Sequence, residues 1–261
     1  MDTENSSKIN QLLQSQPSGT VFTAEWMTAN GYSLDLQRQY RKSNWFESIG
    51  NGAMKRVGEN VSLVGALYSL QKQLGLAVHI GGISALGMQG KAHYLAMGEH
   101  KTSLFCPTGM YLPKWFLDYE GWKDTITLTH TDFLPATIET TAFQQNSSYQ
   151  IQISSPARAM LECLYSTPAA HHLTECYEIM EGLNNLRPQS VQVLLENCNS
   201  VKVKRLFLFM ADKSGHKWFK YLKMEQIDLG KGKRSIASNG VYNAKYKITV
   251  PKELMKDEEG I

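Results

Sequence analysis

The feature that most constrains this chain is a spacing. Between residues 9 and 57, three short helical signals follow one another across tight joints, and a glycine-marked turn comes next. Ile9, Leu12 and Leu13 repeat at helical intervals until Pro17 and Gly19 break the pattern, so the first helix ends near Gln16. Thr23 can cap a second helix over residues 24–29, with Asn30-Gly31 as its left-handed exit. Ser33 can cap a third helix at once, and Asp35 puts a negative charge in its first turn. Trp45, Phe46 and Ile49 follow, then "GNG" at 50–52 and the run Met54 to Val57, a pattern that suits a hairpin. Three short helices and a hairpin outline a winged helix-turn-helix, in which the helix after the turn lies in the major groove of DNA.

Projecting the third helix at about 100° per residue gathers Leu36, Gln39, Tyr40 and Ser43 on one side and Gln37, Arg38, Arg41 and Lys42 on the other. The second face is polar, positive and made of long side chains that reach phosphates or base edges. A basic helix face is most often only a solvated one. Here its place in the recognition slot, with Glu47 the one acid interrupting Arg38, Arg41, Lys42, Lys55 and Arg56, turns the reading toward DNA. The expected contacts are Gln37, Arg38, Arg41, Lys42 and Asn44 from the helix and its end. Lys55 and Arg56 in the wing are expected on backbone phosphates.

A length of 261 residues with 42% hydrophobic content allows two domains or one large one, and a net charge of +3 permits nucleic acid without requiring it. A boundary is expected near residue 60, giving a winged helix over 1–60 and a larger domain over 61–261. Ser62 caps a helix striped by Leu63, Ala66, Leu67, Leu70 and Leu74 and ended by Gly75, read as a link between the two. "LAVHIGGISALGMQG" reads as a strand, a double-glycine turn and a short helix from Ser84. Strands are expected over 103–106, 125–131 and 149–154. "SSPARAMLECLYS" then opens a helix with Ser155 as cap and Pro156 at its first position, and helices follow over 172–183, 189–197 and 201–211. The fold class expected is α+β, a winged helix followed by a mixed α/β domain.

Cys106, Cys163, Cys176 and Cys198 stand singly in apolar or helix-forming sequence and read as reduced core thiols. The opening "MDTENSSKIN" is polar and no later run reaches the ~18 apolar residues of a membrane span, so a cytosolic location without membrane attachment is expected. Asn146-Ser-Ser fits a glycosylation sequon that means nothing inside a cell.

A rival class is a nuclease-like or other nucleic-acid-processing enzyme, and the residues offer it little. "GKGK" at 230–233 lacks the spacing and the Ser/Thr of a phosphate-binding loop and reads as a basic turn. His171, His172, Cys163 and Cys176 lack zinc spacing, and Glu139, Glu162, Glu175, Glu178 and Glu181 form no metal motif. The serine of "GISALG" reads as a core or cap residue rather than a nucleophile. No catalytic residue, cofactor or metal is called for.

Between 202 and 234 lie ten cations and only three acids, Asp212, Glu225 and Asp228. A second basic surface is expected there from Lys202, Lys204, Arg205, Lys217, Lys220, Lys231, Lys233 and Arg234. The interleaved Trp218, Phe219 and Tyr221 are read as core.

The assembled order resembles the AbiEi-type antitoxins of type IV toxin–antitoxin systems. The resemblance rests on the N-terminal winged helix, "VHIGGISALGMQG" at 78–90, "ISSPARAMLECLY" at 153–165, the block from "LRPQSVQVLLENCNS" to "HKWFKYL", and "DLGKGKRSI" at 228–236. It implies a bacterial autorepressor that binds inverted repeats upstream of its own operon. It also implies antagonism of a co-encoded nucleotidyltransferase-like toxin, and it points to the C-terminal domain for that task.

Overall fold

The structure, a computed structural model, describes residues 8–91, 101–144, 148–169, 171–237 and 240–255. The sequon at Asn146 lies outside them. The chain forms two compact units with interleaved segments. The first comprises Met1–His79, Gly109–Thr127 and Ala142–Gln152, and the second Ile80–Thr108, Leu128–Thr141 and Ile153–Ile261.

The first unit opens with α1 (Lys8–Ser15), β1 (Phe22–Thr23), α2 (Ala24–Ala29), α3 (Leu34–Lys42), β2 (Phe46–Gly50) and β3 (Ala53–Arg56). The strands pair antiparallel in the order β1-β3-β2, which is the winged-helix arrangement. Side-chain oxygens of Thr23 and Ser33 accept from Trp26 N and Leu36 N, capping α2 and α3 as their positions dictate. A small core of Leu12, Phe22, Met27, Tyr32, Tyr40, Phe46 and Met54 holds helices to sheet, with the Phe22 and Phe46 rings edge-on at 4.9 Å.

Helix α4 (Leu63–Lys72) belongs to this unit and completes it. The β1 backbone has one paired neighbour, and α4 supplies side-chain partners along it. Ser69 Oγ donates to Val21 O at 2.7 Å and accepts from Val21 N at 3.0 Å, while Gln73 Oε1 accepts from Thr23 N at 2.9 Å. The wing is braced too. After β4 (His79–Ile80), α5 (Gly82–Met88) and β5 (Thr102–Cys106), α6 (Lys114–Leu117) returns to the first unit and packs on β2. It does so where Gly50 has no Cβ, since one added there would lie 2.7 Å from Trp115 Cβ.

The remaining elements are β6 (Ile126–His130), β7 (Thr140–Phe143), β8 (Ile151–Ser154), α7 (Pro156–Tyr165), α8 (Leu173–Gly182), α9 (Pro188–Asn197), α10 (Val201–Lys213), β9 (Arg234–Ser235), β10 (Val241–Asn243) and β11 (Ile248–Val250). A five-stranded sheet runs in the order β6-β5-β4-β8-β7, with β4 and β8 parallel, and a three-stranded sheet runs β10-β11-β9. The expected α+β class is what the chain adopts.

In the second unit every residue of α7 from Ala157 to Leu164 is buried, including one charged pair. Glu162 bonds Arg158 Nε at 2.9 Å, Gly82 N at 2.8 Å and Ser154 Oγ at 2.7 Å, and Arg158 Nη1 donates to Pro135 O and Ile138 O. Burying such a pair is tolerable because both partners have further hydrogen bonds. The double glycine now has a physical reason: a Cβ on Gly81 would collide with the Glu162 carboxylate, and Gly82 sits at φ +52° while giving it an N–H. Helix α5 therefore begins at Gly82, two residues before the expected Ser84, whose hydroxyl instead accepts from Ser103 N.

Candidate nucleic-acid interface

On α3 the inward residues are Tyr40 and Gln37, with Leu36 partly buried. Gln37 corrects the expected outer face, because it is only 2% exposed. Its Nε2 lies 2.8 Å from Tyr32 O, 3.1 Å from Thr28 Oγ1 and 3.2 Å from Ala24 O. The amide serves oxygens of α2 and of the turn that follows it, a use that a projection counting Gln as merely polar does not register.

Arg38, Arg41, Lys42 and Asn44 do face solvent, with Gln39, Ser43 and Trp45 beside them. Arg38 bonds Asp35 at 2.7 Å, but both side chains are exposed, so the pair is weak and exchangeable. Asn44 ends the helix at φ +55°, a left-handed conformation that Asn accepts more readily than most residues.

The wing cations are already engaged. Arg56 donates to Leu13 O and Gln16 O at 2.6 Å and to Pro17 O at 3.1 Å, pairs with Glu59, and lies over the Phe22 ring at 4.9 Å. It closes the C-terminal carbonyls of α1 and the turn after it. Burial pushes the Glu59 carboxyl up, yet the Ser18 hydroxyl, the Gly19 N–H and Arg56 together hold it below its ordinary range. Lys55 bonds Glu59 O at 2.9 Å and pairs with Glu47 at 3.2 Å. Lys55 and Arg56, expected on backbone phosphates, are folded back by the short hairpin strands onto the domain's own carbonyls.

The second basic run divides the same way. Lys204 and Arg205 are 4% and 1% exposed, and Lys202 is half-buried, donating to Tyr165 O and Thr167 O at the C-terminal end of α7. Burial lowers the Lys202 pKa. Arg205 reaches four carbonyls, Leu229 O at 2.8 Å, Gly232 O at 2.8 Å, Lys247 O at 3.0 Å and Gly230 O at 3.1 Å. These three are corrections to the expected surface, and the reason is that α10 is packed on all sides, Val203 to Ala211 being buried without a break. Lys217, Lys220, Lys231, Lys233 and Arg234 remain exposed. Trp218 is core, its Nε1 donating to Leu183 O, but Tyr221 is 64% exposed against its expected burial.

All four cysteines are buried and free. Burial pushes the Cys106 and Cys176 thiols up to about 11 and about 12, and Cys163 well above its ordinary value. Among the described residues no three His, Cys, Asp or Glu side chains gather as a metal site, and no helix is long and apolar enough to cross a membrane.

A winged-helix unit with an exposed cationic third helix, joined to a larger α/β unit, defines the general class of a winged-helix regulator. Family comparison makes this particular. Residues 5–97 match the model described as transcriptional regulator, AbiEi antitoxin N-terminal domain, and residues 99–251 match that of transcriptional regulator, AbiEi antitoxin, type IV TA system. The chain belongs to this AbiEi family of type IV toxin–antitoxin transcriptional regulators. Among solved structures, the RV2827C protein from Mycobacterium tuberculosis is similar in fold, with a TM-score of 0.55 over 92% of this chain and 88% of that one at 13% identity. A search of curated proteins finds no match.

Proposed function

We propose that this chain represses its own operon by binding inverted repeats in the promoter as double-stranded DNA, and that it antagonises a co-encoded nucleotidyltransferase-like toxin. Residues 1–60 carry the operator contact in this reading and residues 61–261 the antagonism. One observation carries the DNA part: Arg38, Arg41, Lys42 and Asn44 emerge together on the exposed face of the helix that follows the turn. Gln37, Lys55 and Arg56 are left out of the contact set because the domain uses them itself. Family membership supports the toxin part.

The experiment is a binding titration of promoter duplex with the folded Arg38→Ala/Arg41→Ala protein. If either arginine reads a guanine edge, its loss costs ~1–3 kcal/mol and relaxes preference at one base pair. Undiminished affinity in the double variant would sink the assignment. For the toxin, growth rescue on co-expression of the neighbouring nucleotidyltransferase gene is the corresponding test.

A further inference from the structure

The three-stranded sheet near the C-terminus carries a surface that the operator reading does not use. From residue 229 to residue 250 the sequence contains Lys231, Lys233, Arg234, Lys245 and Lys247 and not one Asp or Glu. The pairing fixes which side chains share a face. Ile248 and Val250 are fully buried, so the alternate row, Ser235 opposite Thr249 opposite Tyr242, points outward. Lys233, two residues before Ser235, lies on that side, with Nζ over the Tyr242 ring at 4.8 Å. Lys247 is exposed at the start of β11. Among the described residues Lys245 is engaged with Asp212, whereas no carboxylate pairs with Lys231, Lys233, Arg234 or Lys247.

This face is held in shape from beneath. The buried Arg205 guanidinium bonds the carbonyls of Leu229, Gly230, Gly232 and Lys247, and Gly230 and Gly232 adopt φ of +63° and +78°. Asp228, the nearest acid in sequence, accepts from Gly230 N. The "GKGK" turn is thus a clamped loop that sends its backbone oxygens inward and its lysines outward.

We infer that this sheet face binds single-stranded nucleic acid, with a base stacked on Tyr242 and phosphates met by Lys233 and Lys247. Charge complementarity selects a polyanion. The aromatic selects an unpaired strand, because the bases of a duplex are stacked on each other and offer no face to a surface ring, whereas an unpaired base does. Lys233 shields the ring when the site is empty and swings to a phosphate when a base arrives. The inference stands apart from the operator reading, since it uses none of the α3 residues.

The test is fluorescence anisotropy of the full chain, in the Arg38→Ala/Arg41→Ala background, with labelled oligouridylate, oligothymidylate and a duplex of the same length. Binding of the single strands above the duplex is expected, and comparing the two single strands tells RNA from DNA. Tyr242→Ala should weaken that binding at least about fivefold, as loss of one stacked base does. Tyr242→Phe should keep it. Lys233→Glu/Lys247→Glu should abolish it and serves as a second probe should Tyr242→Ala unfold. Absence of single-strand binding, an unchanged Tyr242→Ala, or equal binding of duplex and single strands each overturns the inference. Promoter affinity measured separately on Tyr242→Ala with native arginines should be unchanged, so a failed operator reading and a failed sheet reading remain distinguishable.

Discussion

Helices α3 and α10 begin from similar material: "LQRQYRK" at 36–42 and "VKVKR" at 201–205 both interleave cations with apolar residues. The first presents Arg38, Arg41 and Lys42 to solvent, while the second buries Lys204 and Arg205 and half-buries Lys202. Neither charge nor local pattern separates them. What differs is the surroundings. Helix α3 has one packed side, so its cations have water available and keep it. Helix α10 runs through the middle of its unit, and its cations must find oxygens inside the protein in place of water. Arg205 finds four, and Lys202 finds two. A buried guanidinium ringed by carbonyl dipoles is solvated by the protein in place of water. The wing repeats the lesson inside the first unit, where Arg56 behaves like Arg205 and unlike Arg38.

The sharpest way to break this contrast is Arg205→Leu, which removes the donor from the carbonyls of Leu229, Gly230 and Gly232, while Lys247 O keeps its bond from Arg234 N. A loss of ~4 kcal/mol is expected in urea unfolding, from charged hydrogen bonds lost and acceptors orphaned. Lys231→Ala, on the loop that Arg205 holds, should stay within about 0.5 kcal/mol of wild type. Equal effects would remove the distinction between buried and presented cations. Within the first unit, Arg56→Ala should cost ~2 kcal/mol of thermal stability, whereas Arg38→Ala and Arg41→Ala should leave the melting temperature nearly unchanged.

A smaller effect is expected with pH. Glu59 is held below its ordinary value of 4.5 in the folded state, so it binds its proton more readily when unfolded. Its contribution is fully present above the unfolded value and is lost as pH falls through the folded one. Stability should therefore decline below about pH 4.5. Glu59→Gln should flatten that decline in acid denaturation followed by circular dichroism. The smallest effect concerns salt. Lys42→Ala should reduce the slope of log affinity for promoter DNA against log salt by roughly one unit, while Lys55→Ala, already paired with Glu47, should leave it in place. A reversed outcome would mean that the wing releases Lys55 to a phosphate on binding.

Much of the helical frame was legible because its signals are local. Thr23, Ser33, Ser62 and Ser155 each accept an N–H in the first turn of the helix that follows, and the helices begin where those caps require. The short elements were not legible. Strands β1, β9, β10 and β11 have two or three residues, and α6 has four, so none repeats its own periodicity often enough to stand out from the surrounding sequence. The sheet face around Tyr242 was invisible for that reason, although the acid-free run from 229 to 250 was a signal available for it.

The sequence by itself determined most of the longer helices and the side-chain caps of four of them, that the opening stretch folds as a winged helix, and where cations are dense. Only the tertiary structure decided which of those cations face water. Whether Gln37, Arg56 and Arg205 point out or in depends on carbonyl groups 13 or more residues away along the chain, at Ala24, Leu13 and Leu229 among others. A polar side chain goes to the surface unless the fold brings it partners that replace water, and those partners exist only after the distant segments have met.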